Sequence, residues 1–137
     1  MIFRKAKLFK VYDTESLATS EGTVRPFFFG ENVSLIHLEV PKGLEIPAHS
    51  HPREGILYCL AGELQVYSED QLFKLSEAMA LLVPPDVAVG IRNKSDVPAE
   101  CLLISSPPAL RSADELKERL KHYQIQKESD KNDGIDH

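Results

Sequence analysis

The chain has 137 residues, of which 42% are hydrophobic and 27% charged, so it suits one soluble domain with a real core rather than two. Its net charge of −5 argues against general nucleic-acid binding, which needs clustered Lys and Arg. Because we find no run of about 18 apolar residues and no signal-peptide pattern, we predict a cytoplasmic protein with no membrane partner.

Residues 1–32 are short apolar pieces broken by polar loops, and we predict an N-terminal arm with strands that pack on the main domain. Three consecutive phenylalanines, 27–29, are the most distinctive feature of this arm. They fit a strand buried on both faces, and they equally fit an edge that meets a second copy of the protein.

Residues 33–108 form the predicted core, where short apolar, β-branched runs alternate with turn signals. The predicted strands are 33–40, 56–60, 64–67, 72–75, 80–83, 87–92 and 101–105. Short strands at this spacing, without alternating long helices, are typical of an antiparallel β-sandwich or barrel. The cysteines, Cys59 and Cys101, lie far apart outside any CxxC pattern, which favours buried free thiols over a disulfide.

One helix is predicted within residues 109–125. Ser112 followed by Glu115 matches a capping box, and Ala113, Leu116, Leu120 and Tyr123 fall on one stripe. Glu115 with Arg119, and Glu118 with His122, stand four residues apart and can pair. We expect the helix to cover a barrel end or a dimer seam, and the polar residues 126–137 to be disordered.

His49 and His51 are the main candidates for a functional site. Side chains two apart on a strand point to the same face, so both imidazoles can enter one cavity. Such a pair is half of a site for a first-row divalent metal. Two ordinary polar histidines remain the alternative explanation.

Two stretches resemble the motifs of the cupin family. Gly43, His49, His51 and Gly62 match the spacing of the first motif, and Pro84, Gly90, Arg92 and Asn93 resemble the second. The resemblance, which covers roughly residues 33–106, implies an antiparallel jelly-roll β-barrel that is often dimeric. We therefore expect a homodimer.

The resemblance also implies a metal held by three His and one Glu, and here this chain departs from the pattern. The Glu position falls on Gly55 and the third His position on Val89. Glu54 could substitute if a β-bulge re-aims it, since strand parity points it away from the two histidines. His37 could also face the cavity, although a hydrogen-bonded or surface role suits it better.

Parity places Leu57, Cys59, Val89 and Ile91 on the cavity wall. A mainly apolar cavity with two histidines at one side suits a small organic ligand, and Arg53 could hold an anionic ligand at its mouth. We therefore predict a small-molecule-binding barrel with, as its candidate cofactor, a weakly held divalent ion (Zn, Fe, Ni, Mn or Cu) at His49 and His51. The alternative is a metal-dependent oxygenase or isomerase that uses both histidines and a substitute carboxylate.

Overall fold

The computed structural model describes residues 5–121, and in them the chain forms ten strands, a short 3₁₀ helix and one α-helix. The strands are β1 (Leu17–Thr19), β2 (Gly22–Phe29), β3 (Ser34–Val40), β4 (Glu45–His49), β5 (Glu54–Ala61), β6 (Glu63–Ser68), β7 (Gln71–Ser76), β8 (Ala80–Val83), β9 (Val89–Arg92) and β10 (Ala99–Ser106). The 3₁₀ helix is Val11–Asp13, and helix α1 occupies 113–121 of the described residues.

The strands form two antiparallel sheets. One has six strands in the order β1-β2-β3-β10-β5-β8, and the other has four in the order β4-β9-β6-β7. The non-sequential neighbours are those of a jelly-roll barrel, so the predicted all-β fold is confirmed. Each of the seven predicted core strands has a counterpart. The pattern does not predict β1, because three residues are too few for alternation to show.

Alternate residues of both sheets point inward and form a single core. The wholly buried positions include Val40, Cys59, Val66, Ala99 and Cys101. Cys59 and Cys101 stand directly opposite each other on β5 and β10, and both are free thiols as predicted. Burial raises the pKa of both, that of Cys101 to about 12, so they stay protonated and pack as small hydrophobic side chains.

Asn93 joins the ends of three strands at one end of the barrel. Its side-chain amide donates to the backbone carbonyls of Val40 and Val97, both at 2.9 Å. Its oxygen accepts from the backbone N–H and the hydroxyl of Ser95, at 3.0 and 2.7 Å. Asn93 is 1% exposed, so this complete set of bonds satisfies a polar group that water cannot reach.

The phenylalanine run lies at the end of β2, where the register with β3 shifts between Pro26 and Phe28. All three rings are half-buried. Phe29 packs against the core, and Phe28 meets the ring of Phe9 edge-on with centroids 5.3 Å apart. The N-terminal segment thus contacts the outer side of this strand, and the run is half-buried rather than buried on both faces.

Helix α1 begins where the capping box predicts. The hydroxyl of Ser112 accepts from the backbone N–H of Glu115 at 3.2 Å, and Glu115 pairs with Arg119 at 2.8 Å. The predicted pairing of Glu118 with His122, the stripe position Tyr123 and the tail 126–137 lie outside the described residues. None of the helices in 5–121 is long and apolar enough to cross a membrane.

We expect Asn93→Ala to lower the free energy of unfolding by about 2–4 kcal/mol, because it removes the hydrogen bonds of a buried polar side chain and takes the amide donor from the carbonyl of Val40. Urea denaturation measures this loss. The exposed neighbour provides the control, since Lys94→Ala should change stability by no more than about 0.5 kcal/mol. Similar effects of the two substitutions would contradict the structural role of Asn93.

Candidate functional site

A cavity of about 250 Å³ lies between the two sheets. Its walls are apolar and come from both sheets, with Leu57 from β5 and Val89 and Ile91 from β9 among them. Residues from the C-terminal segment also line it, including Leu116 and Arg119 of α1. The helix therefore covers one end of the barrel, the first of its two expected positions.

The two histidines lie at the rim of this cavity. Strand β4 ends at His49, and its register with β9 shifts between Ile46 and His49. His51 follows in the loop, so the two do not share a regular strand as their spacing predicts. Their rings nevertheless meet edge-on with centroids 4.8 Å apart, and both residues are exposed. The chain thus brings both imidazoles to one place by a bulge and a bend.

Neighbouring groups fix how the two rings are oriented. Nδ1 of His49 lies 3.0 Å from the carbonyl oxygen of Pro47. A carbonyl can only accept, so Nδ1 of His49 is the donor in this contact and Nε2 is the ring nitrogen that faces Glu21. Nη2 of Arg53 donates to Nδ1 of His51 at 3.4 Å. A carbonyl that accepts the other ring N–H, as Pro47 does for His49, is the usual means of orienting a metal-binding histidine, whereas Arg53 occupies the lone pair of His51 Nδ1.

A carboxylate that the sequence analysis does not select reaches His49. Oε1 of Glu21 lies 3.6 Å from Nε2 of His49, and Glu21 lines the cavity. It is carried by the two-residue turn between β1 and β2, where Thr19 pairs with Gly22. Gly22 has φ +101°, a conformation that favours glycine. No local pattern could show this proximity, because it depends on how the N-terminal hairpin packs against the barrel.

The positions where the resemblance places the remaining ligands are apolar in the structure as well. Val89 is the direct cross-strand partner of His49, and Gly55 lines the cavity. Glu54 also lines the cavity and is exposed. It does not form a close set with both histidines, because among residues 5–121 only His37, Glu39 and Glu100 bring three ligand atoms within 4.8 Å of one another.

Two other residues lie away from the cavity. Cys59 is not among the lining residues and is instead wholly buried in the core beside Cys101. The alternation of side chains along β5 correctly predicts that Cys59 points inward, but it does not predict how far along the barrel Cys59 lies. His37 lies between Ile36 and Leu38, which both line the cavity, so its side chain projects from the opposite face of the sheet.

The surroundings of His51 favour its neutral form by lowering its pKa. Desolvation lowers the pKa of His51, and the nearby His49 and Arg53 lower it further. A neutral ring can coordinate a metal or accept a proton. Two imidazoles and the Glu21 carboxylate are donor types that suit a first-row divalent ion. Their ligand atoms do not all lie within 4.8 Å of one another, so the partly exposed side chains would have to move together to hold an ion, with water in the other positions.

Comparison with known proteins identifies the family of this barrel. The model of the cupin domain matches residues 36–105, just over half of the chain. No curated protein sequence matches. The chain is similar to TT1209 from Thermus thermophilus, with 27% identity over 61% of this chain and 80% of that one and a TM-score of 0.56.

Two further solved structures share the fold at lower identity. KdgF from Halomonas sp. is 16% identical, with 81% of this chain and 99% of that chain covered and a TM-score of 0.70. The polyketide cyclase RemF from Streptomyces resistomycificus is 19% identical, with 80% and 89% covered and a TM-score of 0.66. At these identities the likeness concerns the fold alone.

We expect the pKa of His51 to lie below the ordinary histidine value of about 6.5, and proton NMR titration of its ring measures it. The unfolded chain then binds the proton more readily than the folded one. The contribution of His51 to stability is therefore complete above about pH 6.5 and is lost as the pH falls below it. Arg53→Met should raise the pKa of His51, whereas Lys74→Met, far along β7, should not. A pKa of His51 above the ordinary value would contradict this electrostatic description.

Proposed function

Because this chain belongs to the cupin family, we propose that its barrel binds a small, partly apolar organic molecule, with a loosely held divalent metal at the rim. The observation that supports this proposal best is the division of the cavity into an apolar interior and a polar mouth. Hydrophobic walls with a few polar groups on one side are typical of small-molecule sites.

The size and chemistry of the cavity limit the ligand. Its volume of about 250 Å³ lies just below the range of about 300–1,000 Å³ common for ligand pockets. The apolar walls favour a short hydrocarbon or ring. Arg53 and Arg119 both line the cavity; Arg119 is paired with Glu115, so the guanidinium of Arg53 is the one that best matches the carboxylate oxygens of a ligand. We therefore infer a small organic acid, with its apolar part inside and its carboxylate at the rim.

In this proposal the metal ligands are His49 and His51, as the sequence predicts, together with Glu21. Glu54 lies nearby at the cavity mouth and could approach if its loop moved. The mixed nitrogen and oxygen donors suit zinc, iron, nickel, manganese or copper and do not discriminate among them.

Catalysis is the second candidate function, and the proximity of Glu21 to His49 favours it. Two His and one carboxylate with open positions resemble the arrangement of non-haem iron oxygenases. A bound ion would supply Lewis acidity at the cavity mouth. The chain's own groups would then position the substrate, and neutral His51 could accept a proton from it. Other barrels of this fold include an enzyme, the polyketide cyclase RemF.

We also propose that the chain forms a homodimer. On the face of the six-stranded sheet that points away from the cavity, Ile56 pairs with Ile104 on one side and Leu82 on the other. Leu82 is 58% exposed at the end of this apolar row. A second copy of the chain packed on this face would bury the row.

We expect hexanoate to bind the protein roughly three- to tenfold more tightly than hexanamide, because a charge-assisted bond to guanidinium contributes about 1 kcal/mol more than a neutral one. Isothermal titration calorimetry with each compound measures the difference.

Two variants separate the contributions to this binding. Arg53→Met should remove the preference for the acid and retain the binding of the amide, whereas Val89→Phe should abolish both by filling the cavity. Unchanged binding in Val89→Phe would place the ligand elsewhere, and no binding of either compound to the wild type would oppose the proposal.

We expect a divalent ion at the rim to depend on both histidines and on Glu21. The measurement is zinc content by mass spectrometry after dialysis against micromolar Zn²⁺. All proteins carry Glu100→Gln, so that the group of His37, Glu39 and Glu100 lacks one of its ligands. About one ion per chain should bind. The added pair His49→Ala and His51→Ala should abolish binding, and Glu21→Gln should weaken it about tenfold. Glu63→Gln is the matched control. Equal zinc in all variants would refute this site.

A further inference from the structure

A second group of metal-binding side chains lies on the outer face of the six-stranded sheet, opposite the cavity. His37 and Glu39 project from β3, and Glu100 projects from the neighbouring strand β10. One ligand atom from each lies within 4.8 Å of the other two. This outer cluster shares no residue with the rim of the barrel and is independent of the function proposed for it.

His37 is the unusual member of the outer cluster. It is 1% exposed, and neither of its ring nitrogens has a hydrogen-bond partner. Nε2 lies 3.6 Å from Oε2 of Glu100, which is too long for a hydrogen bond. A buried imidazole without a partner is destabilising, and such a group calls for an explanation such as an ion.

The two carboxylates of the outer cluster create an unbalanced charge. Glu39 and Glu100 are direct cross-strand partners, and like charges in this position repel. Arg25 neutralises only one of them, through Nη1 at 2.7 Å from Oε1 of Glu39. The hydroxyl of Tyr12 donates to both oxygens of Glu100 at 3.1 and 3.2 Å but brings no positive charge. The Glu100 carboxylate thus has no Arg or Lys partner, and it lies beside a ring nitrogen of His37 that has no hydrogen-bond partner.

We propose that His37, Glu39 and Glu100 bind a divalent transition-metal ion, with zinc as the best match. Zinc accepts one imidazole and carboxylates at about 2.0–2.2 Å, so two of its ligand atoms stand at most about 4.4 Å apart. The 3.6 Å between His37 and Glu100 already meets this limit. Glu39 needs only a small side-chain movement, and its Oε2 is not used by Arg25.

Tyr12 shields this site from solvent. Its ring meets the ring of His37 edge-on with centroids 5.4 Å apart, and Arg25 lies over its other side at 5.1 Å. Water, or the Tyr12 hydroxyl after a small shift, would supply the fourth ligand. The ion would then fasten the Val11–Asp13 turn and strands β3 and β10 together, so its role is structural.

The experiment uses the full chain with His49→Ala and His51→Ala, so that the rim contributes no ligand. Equilibrium dialysis against Zn²⁺ with metal analysis gives the stoichiometry, and Co²⁺ substitution reports the ligand geometry by visible absorption. We expect about one ion per chain and a rise in the melting temperature with zinc. Adding Glu100→Gln should abolish both effects. Glu63→Gln, an exposed carboxylate on β6, should change neither.

Adding His37→Gln should also abolish binding, and circular dichroism will show whether that buried substitution folds. If it does not, Glu39→Gln at the half-buried neighbouring position provides the second loss of a ligand. No bound ion in the double-alanine protein would overturn the proposal. Binding retained in Glu100→Gln would also overturn it. If His49, His51 and Glu21 prove not to bind an ion, these outcomes for the outer cluster keep the same meaning.

Discussion

The alternation of side chains along β3 separates the two halves of this protein's chemistry. Ile36 and Leu38 point into the barrel and form part of an apolar wall, whereas His37 and Glu39 between them point to the outer face. A slip of one residue would place the imidazole and the carboxylate in the cavity and expose the wall residues to the outer face. The pairing of β3 with β2 and β10 fixes this register, so the cavity and the outer cluster depend on the same ladders.

The barrel interior is apolar where the family pattern places metal ligands, and this limits which donors the rim can offer. Val89 opposite His49 and Gly55 on β5 add no donor. The one close carboxylate comes from outside the barrel core, on the β1–β2 turn. A ligand supplied by a hairpin is held less rigidly than one supplied by a central strand. The rim is therefore better suited to reversible binding than to permanent retention of an ion.

The sequence predicts those features of the fold and the site that depend on residues close together in the chain, and not those that depend on contacts between distant segments. The strand pattern and the capping box are local, so the jelly-roll fold and the start of α1 follow from them. The proximity of His49 and His51 is also predicted, although a bulge and a loop produce it rather than a regular strand. Glu21 and Arg119 could not be selected, because only tertiary packing brings the hairpin and the helix to the same rim. Side-chain alternation does not show that Cys59 lies away from the cavity, because it predicts the face of a strand and not the position along the barrel.

The two proposed metal sites differ most in what competes for their donor atoms. At the rim, water reaches His49, His51 and Glu21, so an ion must displace well-hydrated partners to bind there. In the outer cluster the nitrogens of His37 are buried without partners, and the charge of Glu100 is not neutralised by a cation at hydrogen-bonding distance. Binding there would satisfy groups that folding leaves unsatisfied, so its free energy adds directly to that of folding. A buried structural ion beside an exposed, exchangeable one would let the fold remain stable while the rim exchanges its ligands.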